Sequence, residues 1–302
     1  MNGSATKTVQ VNVTGFAATD ILGLPLAGPV GASGVNGHST NNIPAFANFY
    51  KYSDSHQIAG VNISFRLATA GSANGNIRVK VWETDKGLPG RELHSQVVKI
   101  SNLVANGLVG TLSPNYIYFD KPVQIPADKS FYIGFEIDYG TGDNISIHHY
   151  TSAANGSNAA LYFNNRWQIN GQIGAAWTMA IFPVVAEKSL FPNGSIAAKA
   201  EACAGTPLAF SAAGIANADA YNWNFGNGST SNEATSSATY SAAGVYQASL
   251  TARHNITITE GAVNYPVQLR NSFPQQVSVA DCSKAPVANF EVSAQTANAG
   301  TP

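Results

Sequence analysis

Apolar and polar residues alternate over short stretches along most of the chain. Val9–Val13 (VQVNV), Ile77–Val81 (IRVKV), Phe131–Ile137 (FYIGFEI), Ile145–Tyr150 and Tyr246–Ala252 alternate or cluster β-branched and aromatic residues, as does Tyr116–Phe119, and this is the signature of strands. Between them lie Ser72–Asn76, Gly87–Gly90 and Gly140–Asn144, clusters of Gly, Asn, Ser and Pro with turn chemistry. No stretch of a dozen residues holds an apolar period of 3.6. The pattern predicts an all-β chain whose short, regularly spaced strands form sandwiches.

The pattern stops near residues 186–200 (AEKSLFPNGSIAAKA), which places a domain boundary there. The upstream unit, residues 1–186, is too long for an immunoglobulin-type domain of about 100 residues and suits an eight-strand jelly roll. The second unit is expected at 187–282. The tetrapeptide AGTP occurs at Ala204–Pro207 and again at Ala299–Pro302, and internal repetition of this kind marks repeated modules. Residues 283–302 are therefore expected to begin a further copy of the second unit, within a longer parent protein.

Length, 302 residues, agrees with two domains. Sixteen basic and 17 acidic residues leave a net charge of −1, so no field marks nucleic acid as a partner. Charged residues are 11% but hydrophobic ones 44%, enough to build a core. The longest apolar run, Ile21–Val35, is broken by Gly and Pro, so no membrane insertion is expected. The N-terminus has no basic start followed by an apolar h-region, and any export signal is expected to have been removed or left out. The two cysteines, Cys203 and Cys282, lie too far apart for a CxxC motif, which leaves a disulfide or two separate buried thiols.

Tyr221–Ser231 (YNWNFGNGSTS) and Ala238–Tyr246 (ATYSAAGVY) together resemble the PKD (polycystic kidney disease) domain, with its W-x-F-G-D/N-G-S/T turn followed by Y-x-x-x-G-x-Y. The residues agree with that resemblance. Trp223 and Phe225 alternate onto one strand face and can enter a sandwich core. Gly226 and Gly228 tolerate the positive φ of a tight connection, and Tyr240 and Tyr246, with Gly244 between them, would cover the core's far end. The chain departs from the family in having Asn227 for the common Asp and Thr239 for the common His, and the first departure weakens any calcium role for that turn. The resemblance implies an immunoglobulin-like sandwich. It also implies a Cys203–Cys282 bridge, because related modules of secreted bacterial proteins begin C-x-G-T-P and carry a second Cys near their end. Geometry argues the other way, since the ends of a seven-strand sandwich lie at opposite poles. Such a bridge would mean an oxidising compartment.

In the first unit, Val79–Val97 (VKVWETDKGLPGRELHSQV), Val123–Ile137 (VQIPADKSFYIGFEI) and the ending Trp167…Trp177…Phe182–Pro183 resemble the jelly-roll-like accessory domains of secreted Bacteroidetes proteins. Those sit beside peptidases or PKD repeats.

No catalytic signature stands out. There is no G-x-S-x-G elbow, and His148–His149, the one histidine pair among six, points to opposite strand faces; one half-buried and one exposed imidazole are expected. Glu83–Asp85 and Glu136–Asp138 are i,i+2 pairs on strands, read as solvated strand ends. Asp138 and Asp143 flank a glycine-rich turn and are the candidate ligands of a structural calcium ion, which takes about 6–8 oxygens; no other cofactor is expected. Trp82, Trp177 and Trp223 lie in apolar contexts and are expected in the core. Trp167 lies between polar turn-like stretches and is expected to be exposed, flanked by Tyr162 and Tyr150, as a surface on which sugar rings could stack. The N-x-S/T matches, Asn12, Asn62, Asn144 and Asn255 among them, read as turn and strand usage. The expectation is thus a non-catalytic accessory, spacer or adhesive region of a larger secreted or cell-surface bacterial protein. Its partners would be other domains of the parent chain and extracellular polysaccharide or protein. The alternative is a carbohydrate- or protein-binding module in residues 1–186.

Overall fold

The computed structural model describes residues 36–37, 43–52, 55–105, 114–138, 142–151, 158–169, 177–260 and 263–283. The strand expected at Val9–Val13, the broken run Ile21–Val35 and the repeat stub beyond Ser283 lie outside the described residues.

The first unit contains β1 (Ala45–Lys51), β2 (His56–Ile63), β3 (Phe65–Thr69), β4 (Asn76–Asp85), β5 (Leu88–Lys99), β6 (Asn115–Gln124) and β7 (Ser130–Asp138). It continues with β8 (Asn144–Ile147), β9 (His149–Thr151), β10 (Ala159–Phe163), β11 (Arg166–Ile169), β12 (Trp177–Met179) and β13 (Ile181–Glu187). An antiparallel six-stranded sheet runs β11-β10-β1-β7-β4-β5 and a second sheet runs β13-β2-β6. Alternation sends Phe46, Leu161, Ile133, Phe135, Val79 and Val81 from the first sheet into one core with Ile58, Val61, Ile63, Phe119 and Ile181 from the second. Phe46 stacks on Phe135 at 5.2 Å. The β4–β5 hairpin turns at Lys86–Gly87, both at positive φ (50° and 81°), as a two-residue primed turn demands; the Gly87–Gly90 cluster therefore straddles the turn and the start of β5.

Three strands of this unit break at one level. Ser64, His148 and Ala180 each separate two strand segments, and their backbones close a ring. Ser64 N–H donates to Ala180 O (2.9 Å), Ala180 N–H to His148 O (2.8 Å) and His148 N–H to Ser64 O (3.2 Å). Above the break β9 pairs with β12 and β8 with β3; below it β13 pairs with β2. The facing sheet supplies a buried polar residue here. Asn48, 0% exposed, donates from Nδ2 to Met179 O (2.8 Å) and Ile181 O (3.1 Å) and accepts from Met179 N–H (3.2 Å). Tyr50 also donates its hydroxyl to Ile181 O. A buried amide is tolerated because its three shorter bonds serve backbone beside the break, and Nδ2 lies 3.4 Å from the Tyr50 hydroxyl as well.

The second unit contains β14 (Glu201–Cys203), β15 (Pro207–Ser211), β16 (Ala220–Asn224), β17 (Thr235–Thr239), β18 (Gly244–Glu260) and β19 (Val263–Ala280). One sheet runs β14-β19-β18-β16 with Thr230–Ser231 at its edge; the other pairs Ala197–Ala198, β15 and β17. Leu208, Phe210, Trp223, Phe225, Tyr240, Leu250 and Val277 form its core. Every ladder among the described residues pairs strands within 36–187 or within 193–280.

The expectation about poles is corrected here. β14 pairs in parallel with the end of β19 (Glu201↔Ser278, Ala202↔Val279, Cys203↔Ala280), so an early strand of the unit and its last strand finish side by side. Cys203 and Cys282 are joined by a disulfide, with Cα atoms 5.5 Å apart, an ordinary spacing for a bridge.

Candidate functional site

The motif residues of the second unit hold its core together. Trp223 is fully buried and donates its indole N–H to Glu233 O (2.9 Å), and Trp223 and Phe225 lie with their rings 9° from parallel. Tyr240 is buried and donates its hydroxyl to Phe225 O (3.0 Å); Tyr246, 4.5 Å from it between centroids, bonds Ala242 O. Gly226 (φ 74°) has no room for a Cβ, which would stand 2.5 Å from Gln247 O, whereas Gly228 (φ 90°) and Gly244 face open space or a ring edge. Asn227 caps its own turn by accepting from Ser229 N–H and donating to Thr239 O.

The expected ligand residues of the first unit divide. Trp167 and Tyr162 sit opposite each other on β11 and β10, 5.5 Å apart, on the outer face of the six-stranded sheet. Tyr150 pairs through its backbone with Thr178 in the separate β9–β12 ladder, so the three do not share one sheet; its side chain lies outside the described residues, as does that of Trp177. Trp167 is half-buried rather than exposed, because it packs edge-on against Trp82 at 5.4 Å. Trp82, expected in the main core, is buried (4% exposed) in this second, outer cluster with Ala47, Ala160 and Tyr132, against which Phe49 and Trp167 pack. The small residues Ala47 and Ala160 leave room for the rings of Phe49, Trp82, Tyr132 and Trp167, which come from β1, β4, β7 and β11. Tyr132 donates its hydroxyl to Gly87 O (2.6 Å), and burial pushes its pKa up to about 12. Tyr162, Trp167 and Phe49 keep partly exposed ring surface.

Beside the rings the same face is ionic. Lys80 Nζ lies 2.6 Å from Glu136 and 2.9 Å from Glu92, and Arg78 lies 2.6 Å from Asp138. Burial pulls the Lys80 pKa down, but bonds to the two carboxylates outweigh it and leave the pKa raised. Glu83 is held by Arg91 (2.7 Å). The carboxylates read as solvated strand ends are thus mostly cross-strand ion pairs.

Both candidate calcium ligands already have donors on their oxygens. Asp138 is paired with Arg78. Asp143 is buried and accepts from Gly71 N–H (2.8 Å), Ser72 N–H (2.9 Å) and the Ser72 hydroxyl (2.8 Å); donors aimed at these oxygens would repel a cation, and the arrangement organises the 71–75 loop. No group of three His, Cys, Asp or Glu side chains among the described residues could hold a metal. His148 and His149 are both buried, a correction to the expected exposed member. The strand break lets adjacent residues both face packed interior.

The largest feature that the sequence reading missed joins the two units. The β18–β19 hairpin runs from Gly244↔Val279 to Glu260↔Val263, well past the core of its own sandwich. Val267 and Leu269 on β19 are buried with Ala59, Val184 and Ala186 of the first unit and with Leu190 and Phe191 of the connection, and Tyr116, Tyr118 and Ile256 close the edge. Polar contacts frame this shared core. Asn217 Nδ2 donates to Ser189 O (2.7 Å) and Asn271 Nδ2 to Pro192 O (2.9 Å); His254 Nδ1 lies 2.8 Å from Leu190 O, and the Tyr118 hydroxyl bonds Pro266 O (3.2 Å). Arg270 pairs with Asp120 (3.2 Å) and lies over the Tyr118 ring. The signal for this joint was present in the alternation of Val267 and Leu269, but alternation does not say what covers the face.

Residues 191–266 match the PKD domain family. Among solved structures, the cysteine protease and lectin-like domains of Cwp84, a surface layer associated protein of Clostridium difficile, are 16% identical over 49% of this chain and 32% of that chain, with a TM-score of 0.37. A chain described as a membrane anchored protein from Corynebacterium diphtheriae is 11% identical over 78% of this chain and 48% of its own, with a TM-score of 0.20. The chain spans less than half the length of either. No curated protein matches the chain.

Proposed function

We propose that the chain is a non-catalytic, rigid accessory and spacer region of a larger secreted or cell-surface protein, built from a sandwich at 1–186, a PKD-like sandwich at 187–282 and the start of a further repeat at 283–302. A jelly-roll-like accessory unit of the bacterial kind is the first part of that reading. The observation that carries it is the shared core: a spacer must hold the domains it separates at a fixed distance and angle, and a flexible linker would leave Leu190, Phe191, Val267 and Leu269 in water. Here they are buried, Leu269 at 0% exposure. Substituting Leu269→Asp places a charge without a partner in the joint, far along the hairpin from the second unit's own core. It should cost the coupled state about 3 kcal/mol or more. The measurement is small-angle scattering together with calorimetry. The wild type should scatter as one elongated body and the variant as a broadened distribution with two separated transitions. Wild-type scattering already typical of freely jointed domains would overturn the rigid-spacer reading.

The outer aromatic cluster favours a second reading, adhesion to extracellular polysaccharide through Trp167 and Tyr162. Saturable binding of the chain to insoluble polysaccharide should then fall about tenfold in Trp167→Ala, the loss of roughly 1.4 kcal/mol of ring stacking. It should be indifferent to EDTA, because Asp138 and Asp143 are committed to Arg78 and to backbone amides. Equal binding by the variant would remove this face as the site, and EDTA sensitivity would return calcium to the account.

A further inference from the structure

The route that tension takes through the second unit follows from its topology. The connection at 188–192 enters the unit, passes through Ala197–Ala198 and reaches β14; the chain leaves again just after β19. β14 and the end of β19 run parallel and adjacent, so a pull that separates the entering chain from the leaving chain slides these strands past each other. Ser278 N–H to Ala200 O (2.7 Å) and Ala204 N–H to Ala280 O (2.9 Å) lie across that direction and resist together rather than one after another. Immediately beyond this ladder stands the Cys203–Cys282 bond.

We infer that the second unit is a tension-bearing link in which the disulfide diverts force around the loop it closes. This inference rests on the spacer reading and adds a mechanical role to it. Force entering along β14 crosses from Cys203 to Cys282 and leaves, so the backbone between them is out of the line of tension. That loop holds Trp223, Phe225, Tyr240 and Leu250 of the core, and also the whole β18–β19 hairpin whose Val267 and Leu269 grip the first unit. The joint is therefore held by a part of the chain that tension does not stretch directly. The short entering stretch is itself pinned, by Asn217 and Asn271 to the carbonyls of Ser189, Phe191 and Pro192.

The test is single-molecule extension of the full chain by its ends, first as folded and then after a thiol reductant is added to the already folded, tethered molecule. The 79-residue separation of the cysteines, at about 3.3–3.6 Å per extended residue, corresponds to roughly 26–28 nm of chain. The oxidised protein should never release this length, whereas the reduced protein should release it in full. Reduction should also lower the force at which the two units part, since the hairpin then lies in the line of tension. Release of the full length by the oxidised protein, or an unchanged parting force after reduction, would overturn the inference. Both outcomes are distinct from a failure of the spacer reading, which would show as freely jointed units in scattering without any force.

Discussion

Replacing Asn48 by leucine should destabilise the first sandwich by about 3–5 kcal/mol although the side chains are close in size and the site is a hydrophobic core. Asn48 is fully buried and supplies three bonds to backbone beside the Ala180 break, to Met179 O, Ile181 O and Met179 N–H. Each buried group that loses such a partner costs about 1–3 kcal/mol, and added apolar contact returns only part of it. Asn48→Asp separates the contributions. The carboxylate can still accept from Met179 N–H but now faces two carbonyl oxygens, so its variant should be at least as unstable as the leucine one near neutral pH and recover partly in acid, where a protonated carboxyl can donate. Urea unfolding at pH 7 and pH 4 would measure this. A loss below 1 kcal/mol for Asn48→Leu would mean that water or a local shift serves the break instead.

Such a residue could not be found by reading the sequence, and the reason is general. Alternation reports which face of a strand is apolar, so Val79, Val81, Ile133 and Phe135 were legible as one face, and so were Trp223 and Phe225, whose spacing and flanking glycines belong to one local turn. Asn48 breaks the apolar alternation of β1, and on its own that looks like a surface position. Its purpose lies more than a hundred residues away, at Met179 and Ile181. Trp82 and Trp167 failed for a related reason. The six-stranded sheet is apolar on both faces near its ring-bearing strands, and a period of two cannot distinguish a tryptophan in the main core from one closing an outer cluster. His148 and His149 misled because opposite strand faces need not mean one solvent face when the strand breaks at His148. The joint at Val267 and Leu269 was invisible because the strand period was present but its covering partner comes from another domain.

Loss of the disulfide is the second large effect expected, and it bears on more than stability. Pairing Cys203 with Cys282 closes a loop across 79 positions of sequence, and removing that constraint from the unfolded chain corresponds to about 4–5 kcal/mol by loop-closure entropy. For a unit of roughly 60–100 residues, each kcal/mol moves the midpoint by about 4–8 °C, so the double variant Cys203→Ser with Cys282→Ser should melt some 20 °C or more lower in its second unit. β14 offers little to replace the bond, since it meets β19 over only Glu201, Ala202 and Cys203. Its detachment would leave the edge of β19 at Ser278–Ala280 unpaired. The same shift should appear when the wild type is reduced without mutation, which separates the bond from any packing cost of serine. Because the hairpin that grips the first unit lies within the closed loop, the first unit's transition should move down with it, by less, through the shared core of Val184, Ala186, Val267 and Leu269. Calorimetry with and without reductant measures both shifts. A second-unit midpoint that stays within a few degrees would show that β14 and the sandwich core hold the unit closed unaided. A first-unit midpoint that does not follow would show that the hairpin's grip contributes nothing to it.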